Sequence, residues 1–110
     1  MVTLINIGNY AVDEELTPNE NINNFNYFIP VMEWRYFPIV AKAFSKIEST
    51  LATYEPSVGC YVLRCCIFTI TNTGKIKITS AAQCNMNQDG TFGSFEWDKY
   101  NGYGLIGIKV

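Results

Sequence analysis

The sequence contains no histidine, and this absence removes most of the common enzyme mechanisms. Histidine is the side chain that titrates near neutral pH, and it is the commonest metal ligand. Ser-His-Asp and Cys-His catalysis are therefore excluded. A cysteine nucleophile would need another activator, such as a lysine or a helix N-terminus. Because no recognisable motif supplies one, we predict no catalytic residues and a protein that is not an enzyme.

Charge is also scarce. Charged residues make up 16% of the 110 residues, against roughly 25% in an average globular domain. The eight basic residues are scattered from Arg35 to Lys109 and the net charge is −2, so we expect no nucleic-acid ligand. Two explanations stay open for a surface with so little charge. Either Asn, Thr and Ser cover it, or a second copy or a partner protein does.

Targeting and membrane signals are missing as well. The N-terminal stretch MVTLINIGNY has no basic region, so we expect no cleavable signal. The longest apolar run, 60–70, contains Arg64 and is too short to span a bilayer. We therefore expect no membrane association and a cytoplasmic location, in the host cytoplasm if the protein is viral. That compartment keeps cysteines reduced.

Three of the four cysteines lie within GCYVLRCC, residues 59–66. In a strand, Cys60 and Cys66 share one face and Cys65 points to the other. There is no C-x-x-C motif, so the usual structural zinc patterns fail. We predict no metal and no cofactor, with the thiols acting as small apolar core groups. A disulfide between Cys60 and Cys84 under oxidising conditions is the alternative.

One segment has a clear helical period. Apolar residues recur every three or four positions in FPIVAKAFSKIESTLATY, which predicts one main α-helix over 37–54. Pro38 suits the first turn of that helix, and Pro56 prevents its continuation. The residues of the apolar stripe are Phe37, Val40, Phe44, Ile47, Leu51 and Tyr54.

The remaining segments predict strands. VTLINI is an N-terminal strand, and PVMEWRYFP alternates with the period of a strand. Turn signals at Thr73-Gly74, Asp89-Gly90 and Asn101-Gly102 separate strands at about 59–72, 75–85, 91–100 and 103–110. The predicted fold is a single α+β domain over 1–110. In it, an antiparallel meander of four C-terminal strands, with the N-terminal strand added, packs against the helix. An Asn-rich acidic loop or arm occupies about 9–29.

A two-residue turn at Asn101-Gly102 would pair the last two strands, with Trp97 opposite Ile106 and Phe95 opposite Ile108. Glu96 and Asp98 would then lie together on the other face as a ligand-binding or acid–base pair. A solvated face, on which Lys109 pairs with Glu96, is the simpler interpretation.

Aromatic residues make up 15% of the chain. We expect Tyr100 and Tyr103 on the polar face of the last hairpin, near Leu105 and Phe92, where mixed aromatic and apolar side chains favour protein contacts. Stacking on a sugar or base and ordinary cross-strand pairing are the alternatives. The candidate interface comprises Phe92, Tyr100, Tyr103, Leu105 and Trp34.

These features predict a small non-catalytic protein-binding module that forms homodimers. It would act as an accessory or viral-type inhibitor by occupying a partner's surface. The alternative is a small-ligand binder, or an unconventional hydrolase that uses Glu96 and Asp98.

Overall fold

The computed structural model describes residues 1–109, which form two antiparallel β-sheets. The helical content of these residues is a single 3-10 turn at Ile22–Asn24. The strands are β1 (Val2–Gly8), β2 (Tyr27–Met32), β3 (Arg35–Tyr36), β4 (Val40–Ala41), β5 (Lys46–Glu55), β6 (Cys60–Ile70), β7 (Ile76–Met86), β8 (Glu96–Trp97) and β9 (Tyr103–Ile108).

The first sheet has the order β1-β9-β2-β3, and β4 also pairs with β2. Its central strand is β9, where Ile106 is opposite Thr3 on one side and Ile29 on the other. The second sheet has the order β5-β6-β7-β8. The pairing of β5 with β6 runs without a shift from Lys46 to Glu55, whereas β6 and β7 have a bulge beside Ile67.

The hydrophobic core lies between the two sheets, which pack as two layers. Burial in β6 alternates strictly from Val62 to Phe68, so every second residue points inward. Fully buried core residues come from both sheets: Leu4, Phe28, Tyr103 and Leu105 from the first, and Ile47, Cys66, Phe68 and Ile78 from the second.

The predicted α-helix over 37–54 is wrong, and with it the α+β class, because this segment forms β4, a tight turn and β5. Ile47 and Leu51 fit both periods, since a spacing of four suits a helix and also a strand. The structure follows the period of two, in which Ile47 and Ser49 are buried. Phe44, assigned to the helical stripe, is 99% exposed at the turn.

Two turn predictions are confirmed, with a different geometry from the one expected. Around Thr73-Gly74, the N–H of Gly74 donates to Thr71 O (3.0 Å) and the N–H of Thr71 donates to Lys75 O (2.9 Å). Only the glycine has a left-handed φ, of 78°. This is a three-residue loop in which glycine follows a type I turn. The Asp89-Gly90 turn has the same pattern.

The predicted final hairpin is wrong. Asn101-Gly102 carries the chain from the second sheet to the first, so β8 pairs with β7 and β9 pairs with β1 and β2. Trp97 is therefore opposite Ala82 and not Ile106. The four-stranded C-terminal meander is wrong for the same reason. Val110, predicted in the last strand, lies outside the described residues.

The Asn-rich segment predicted as an arm at about 9–29 runs as a loop with one 3-10 turn to residue 26, where β2 follows. It covers the outer edge of β1. The N–H of Asn19 donates to Leu4 O at 2.8 Å, and its side-chain amide donates to Thr3 O at 3.0 Å. Leu16 forms a bridge with Ile76 of the second sheet. The arm thus joins the two sheets at one side.

Candidate functional site

Three residues of the predicted interface lie in the core. Tyr103 and Leu105 have no exposed surface and Tyr100 is 9% exposed, so their expected position on a polar face is wrong. Burial raises the pKa of Tyr100 to about 12. Phe92 and Trp34 are exposed, but they lie on different elements: Phe92 beyond the end of β7, and Trp34 on the β2–β3 turn.

Glu96 and Asp98 do not form a shared acidic site. The Glu96 carboxylate pairs with Lys99 at 3.0 Å, while Lys109, its expected partner, pairs with Glu20 at 2.7 Å. The Asp98 carboxylate accepts a hydrogen bond from the N–H of Ala81 at 3.0 Å. Asp98 thus satisfies a backbone N–H on the outer edge of β7. An open groove of about 300 Å³ beside Glu96 has no second carboxylate in its lining.

The four cysteines are free, and burial makes three of their thiols, those of Cys65, Cys66 and Cys84, less reactive. Cys66 is completely buried between the sheets, and burial raises the pKa of its thiol. Burial also raises the pKa of Cys65, with a further contribution from the neighbouring Cys84. Cys84 is opposite Leu63 of β6. A nucleophilic cysteine needs the opposite shift.

Metal binding finds no support in the part of the chain that the structure describes. Within residues 1–109, no three Cys, Asp or Glu side chains are grouped closely enough to hold an ion.

The end of the second sheet nearest the β2–β3 turn contains a partly buried ionic cluster of Glu33, Arg35, Glu55 and Arg64. Arg64 donates from Nε to Glu33 at 3.1 Å and pairs through Nη2 with Glu55 at 3.2 Å. Arg35 reaches the same two carboxylates at 3.3 and 2.9 Å. Arg64 is the buried member of the cluster, with 4% of the residue exposed. The cluster joins the first sheet to the second.

Both acidic groups of the cluster are paired through one carboxylate oxygen, Glu33 Oε2 and Glu55 Oε1. Thr53 donates to the Glu55 carboxylate at 3.1 Å and, together with Arg35 and Arg64, holds the pKa of Glu55 below its usual range. A general acid needs a pKa raised toward neutrality. Glu55 is therefore not poised to donate a proton, and its contacts stabilise the junction between the sheets.

The β2–β3 turn is strained and anchored. Glu33 and Trp34 both have left-handed φ angles, 52° and 58°, a conformation that costs roughly 1–2 kcal/mol for each non-glycine residue. Their N–H groups donate to Asn101 O at 2.9 Å and Gly102 O at 3.1 Å. These bonds, with the ionic cluster, hold the turn in place and leave Trp34 61% exposed.

The outer face of the second sheet is a surface that sequence reasoning missed. We define it by the strand residues whose side chains point away from the first sheet. The charged residues among them, Lys46, Glu48 and Lys77, lie together at the end of the sheet where β5 begins. The outer face consists of Lys46, Glu48, Thr50, Ala52 and Tyr54 from β5, Tyr61, Leu63, Cys65, Ile67 and Thr69 from β6, Lys77, Thr79, Ser80, Ala82, Cys84 and Met86 from β7, and Trp97 from β8.

Aromatic side chains occupy two parts of the outer face. Tyr54 and Tyr61 are neighbours on β5 and β6, with their rings edge to face and their centroids 5.4 Å apart. Trp97 lies against Phe95 at 5.7 Å. Phe92 extends the row of Tyr54 and Tyr61 beyond Met86. Half-exposed aromatic and apolar side chains of this kind are enriched in protein interfaces.

No protein-family model, curated protein or solved structure matches this chain. Within residues 1–109, no helix is both long and apolar enough to cross a membrane. The function of this protein therefore has to be argued from its own surfaces.

The outer face could have been found from the sequence. If the period of two over 46–55 had been preferred to the helical period, it would have placed the outer residues of β5 beside those of β6.

Proposed function

We propose that this chain is a small non-catalytic protein-binding module that acts by occupying a partner's surface through the outer face of its second sheet. The observation that carries this proposal is a partly exposed sheet face that spans three long strands and has its charged residues, Lys46, Glu48 and Lys77, at one end. Exposed apolar patches of this extent on soluble domains mark interaction sites.

The chemistry of the outer face specifies the kind of partner. Its centre is apolar: Leu63 lies beside Ala52, and Cys65 beside Thr50, while Ala82 and Cys84 on the β7 side of these residues are buried. A partner of matching chemistry presents an apolar, weakly charged surface, because a buried charge without a counter-charge is costly. Such binding fits an accessory protein or viral inhibitor. The four free thiols suit the reducing cytoplasm.

The alternative of a ligand binder or hydrolase based on Glu96 and Asp98 gains no support from the geometry. The two carboxylates have separate structural partners, Lys99 and the N–H of Ala81. An active-site pocket would gather such groups from several elements.

The test compares two single substitutions in binding assays with the immobilised protein and extracts of its native cell or host. Leu63→Glu places a charge at the centre of the outer face, whereas Phe44→Glu changes a side chain that is 99% exposed on the turn before β5. We expect the wild type and Phe44→Glu to capture a partner protein that Leu63→Glu does not capture. Thermal unfolding should show that all three proteins are folded. Equal retention by Leu63→Glu would refute the assignment of this face.

A further inference from the structure

We infer that a second copy of this chain pairs with the outer edge of β5, strand against strand and antiparallel, so that two four-stranded sheets become one sheet of eight strands. This inference names a partner for an edge and not for the outer face. It therefore does not depend on what the outer face binds.

The hydrogen bonds of Lys46, the first residue of β5, show which backbone N–H and C=O groups of this strand point away from β6. The N–H and C=O of Lys46 bond to Ala43 at 3.0 and 2.9 Å, on the side away from β6. Bonding groups alternate sides along an antiparallel strand. Glu48, Thr50, Ala52 and Tyr54 therefore point their N–H and C=O groups the same way. Within residues 1–109, these eight groups take part in no hydrogen bond.

The other edges of the two sheets are protected. The arm residue Asn19 covers β1, and Asp98 together with the N–H of Gly93 satisfies the outer edge of β7. The remaining edge strands, β3, β4 and β8, have two residues each. Natural sheets block edge-to-edge pairing by such covers, or by short strands, prolines, bulges and charges.

β5 has almost none of these protections. It is ten residues long, pairs with β6 without a bulge, contains no proline, and carries Glu48 as the one charge between 48 and 54. An open groove of about 470 Å³, between Pro38 and Val40 on one side and Glu48 and Thr50 on the other, leaves the edge accessible. The edge therefore has the features of a strand that accepts another strand.

If the two-fold axis of the dimer passes beside Leu51, each of the eight free N–H and C=O groups of β5 finds a hydrogen-bond partner. This axis pairs Thr50 with Ala52 of the second copy and Glu48 with Tyr54 of the second copy, each pair exchanging two hydrogen bonds. The same surface serves both copies, as two-fold symmetry requires. The two Glu48 carboxylates lie far apart, so like charges do not meet. Paired residues share a face, and the two outer faces become one continuous surface.

The first experiment measures dimerisation by sedimentation from micromolar to submillimolar concentration. Thr50→Pro removes an outward N–H without touching the ladder to β6, and proline is tolerated at such edge positions. Thr50→Ala removes the side chain and keeps the N–H. We expect Thr50→Ala to dimerise like wild type and Thr50→Pro to bind at least about tenfold more weakly. A wild-type monomer throughout the range, or equal dimerisation of Thr50→Pro, would overturn the inference.

The second experiment needs no variant and holds even if Thr50→Pro fails to fold. Amide hydrogen exchange is followed by NMR on the wild type at low and high concentration. The amides of Glu48, Thr50, Ala52 and Tyr54 should become protected only at high concentration, while those of Ser49 and Leu51 stay protected throughout. A dimer that leaves these four amides unprotected forms elsewhere and refutes the inference. Protection that omits Tyr54 refutes the axis at Leu51.

The two proposals fail separately. Leu63→Glu should still dimerise, because the edge of β5 is intact, and Thr50→Pro should still bind a partner through the outer face of one copy. A Leu63→Glu protein that remained monomeric would place the self-association on the outer face and contradict the pairing along β5.

Discussion

The first sheet ends at β1, whose edge is bonded to the Asn-rich arm, whereas the second sheet ends at β5, whose edge between Glu48 and Tyr54 has no bond within residues 1–109. The second sheet also leaves its outer face partly exposed. The contacts that stabilise the fold therefore lie mainly between the sheets. The surfaces that remain available for binding, the edge of β5 and the outer face, both belong to the second sheet.

This difference separates two kinds of substitution. Changes at the junction of the sheets should alter the free energy of unfolding, and changes on the outer face should alter binding with little effect on stability. The predictions below test that separation, from the largest expected effect to the smallest.

The strongest test breaks the junction itself. Arg64→Ala leaves the Glu33 and Glu55 carboxylates without their buried partner, and we expect a loss of roughly 3–5 kcal/mol in the free energy of unfolding. The matched control is Arg35→Ala, in which a 38% exposed side chain of the same cluster is removed, and we expect about 1 kcal/mol or less. Equal losses in urea denaturation would show that Arg64 is not the central member.

A second test strains the turn that crosses between the sheets. A Cβ on Gly102 would lie 2.5 Å from Trp34 Cδ2 and 2.8 Å from Trp34 N, at a φ of 69°. We expect Gly102→Ala to cost roughly 2–3 kcal/mol from strain and crowding. Gly59→Ala, at a φ of 70° with nothing within 4 Å, should cost only about 1 kcal/mol. Similar thermal shifts for the two variants would mean that the contact with Trp34 adds nothing.

Substitution of two neighbouring cysteines tests whether the inner and outer faces of β6 contribute differently to stability. Cys66 is fully buried in the core, and Cys65 is half-buried on the outer face. Cys66→Ser should cost roughly 1–3 kcal/mol if the hydroxyl finds no partner. Cys65→Ser should cost less than about 1 kcal/mol, since water can reach its hydroxyl. Denaturation of both variants in parallel gives the answer, and a greater cost at Cys65 would reverse the assignment of faces.

The junction should also respond to acid. The folded protein holds the pKa of Glu55 below its ordinary value of 4.5 through Thr53, Arg35 and Arg64. The stability that this carboxylate contributes is therefore complete above pH 4.5 and declines as the pH falls below it. The difference in unfolding free energy between wild type and Glu55→Gln should shrink on acidification. A difference that stays constant below that pH would contradict the assignment.

The smallest effect is expected at Tyr103, whose buried hydroxyl has no hydrogen-bond partner within residues 1–109. Tyr103→Phe removes an unpaired polar group, so the free energy of unfolding should change by less than about 0.5 kcal/mol or increase. A loss above about 1 kcal/mol would show that the hydroxyl is satisfied by a bound water.

The sequence was sufficient to predict the local parts of the fold. The strand at Val2–Gly8, the two long strands β6 and β7, and the turns at Gly74 and Gly90 depend on residues close together in the chain. Turn chemistry and strand alternation act over such distances. The helix failed because Ile47 and Leu51 fit two periods equally, and burial between the sheets decided between them.

The non-local parts could not be predicted. The partners of β9 are β1 and β2, and the partners of Arg64 are Glu33 and Glu55 on other strands. No local pattern marks either association. The same limit hid the outer face, which exists only because β5, β6 and β7 pair in one register.

The position of β9 has a consequence for biogenesis. Because β9 lies between β1 and β2, the first sheet cannot close until Tyr103–Ile108 has left the ribosome. The β5–β6 and β6–β7 hairpins join neighbouring segments through short loops, which favours their early formation. The nascent chain would then present the inner side of the second sheet, including Phe68, to the surrounding solvent until β9 has emerged. Chaperone contacts should therefore concentrate on β6 and cease once β9 docks.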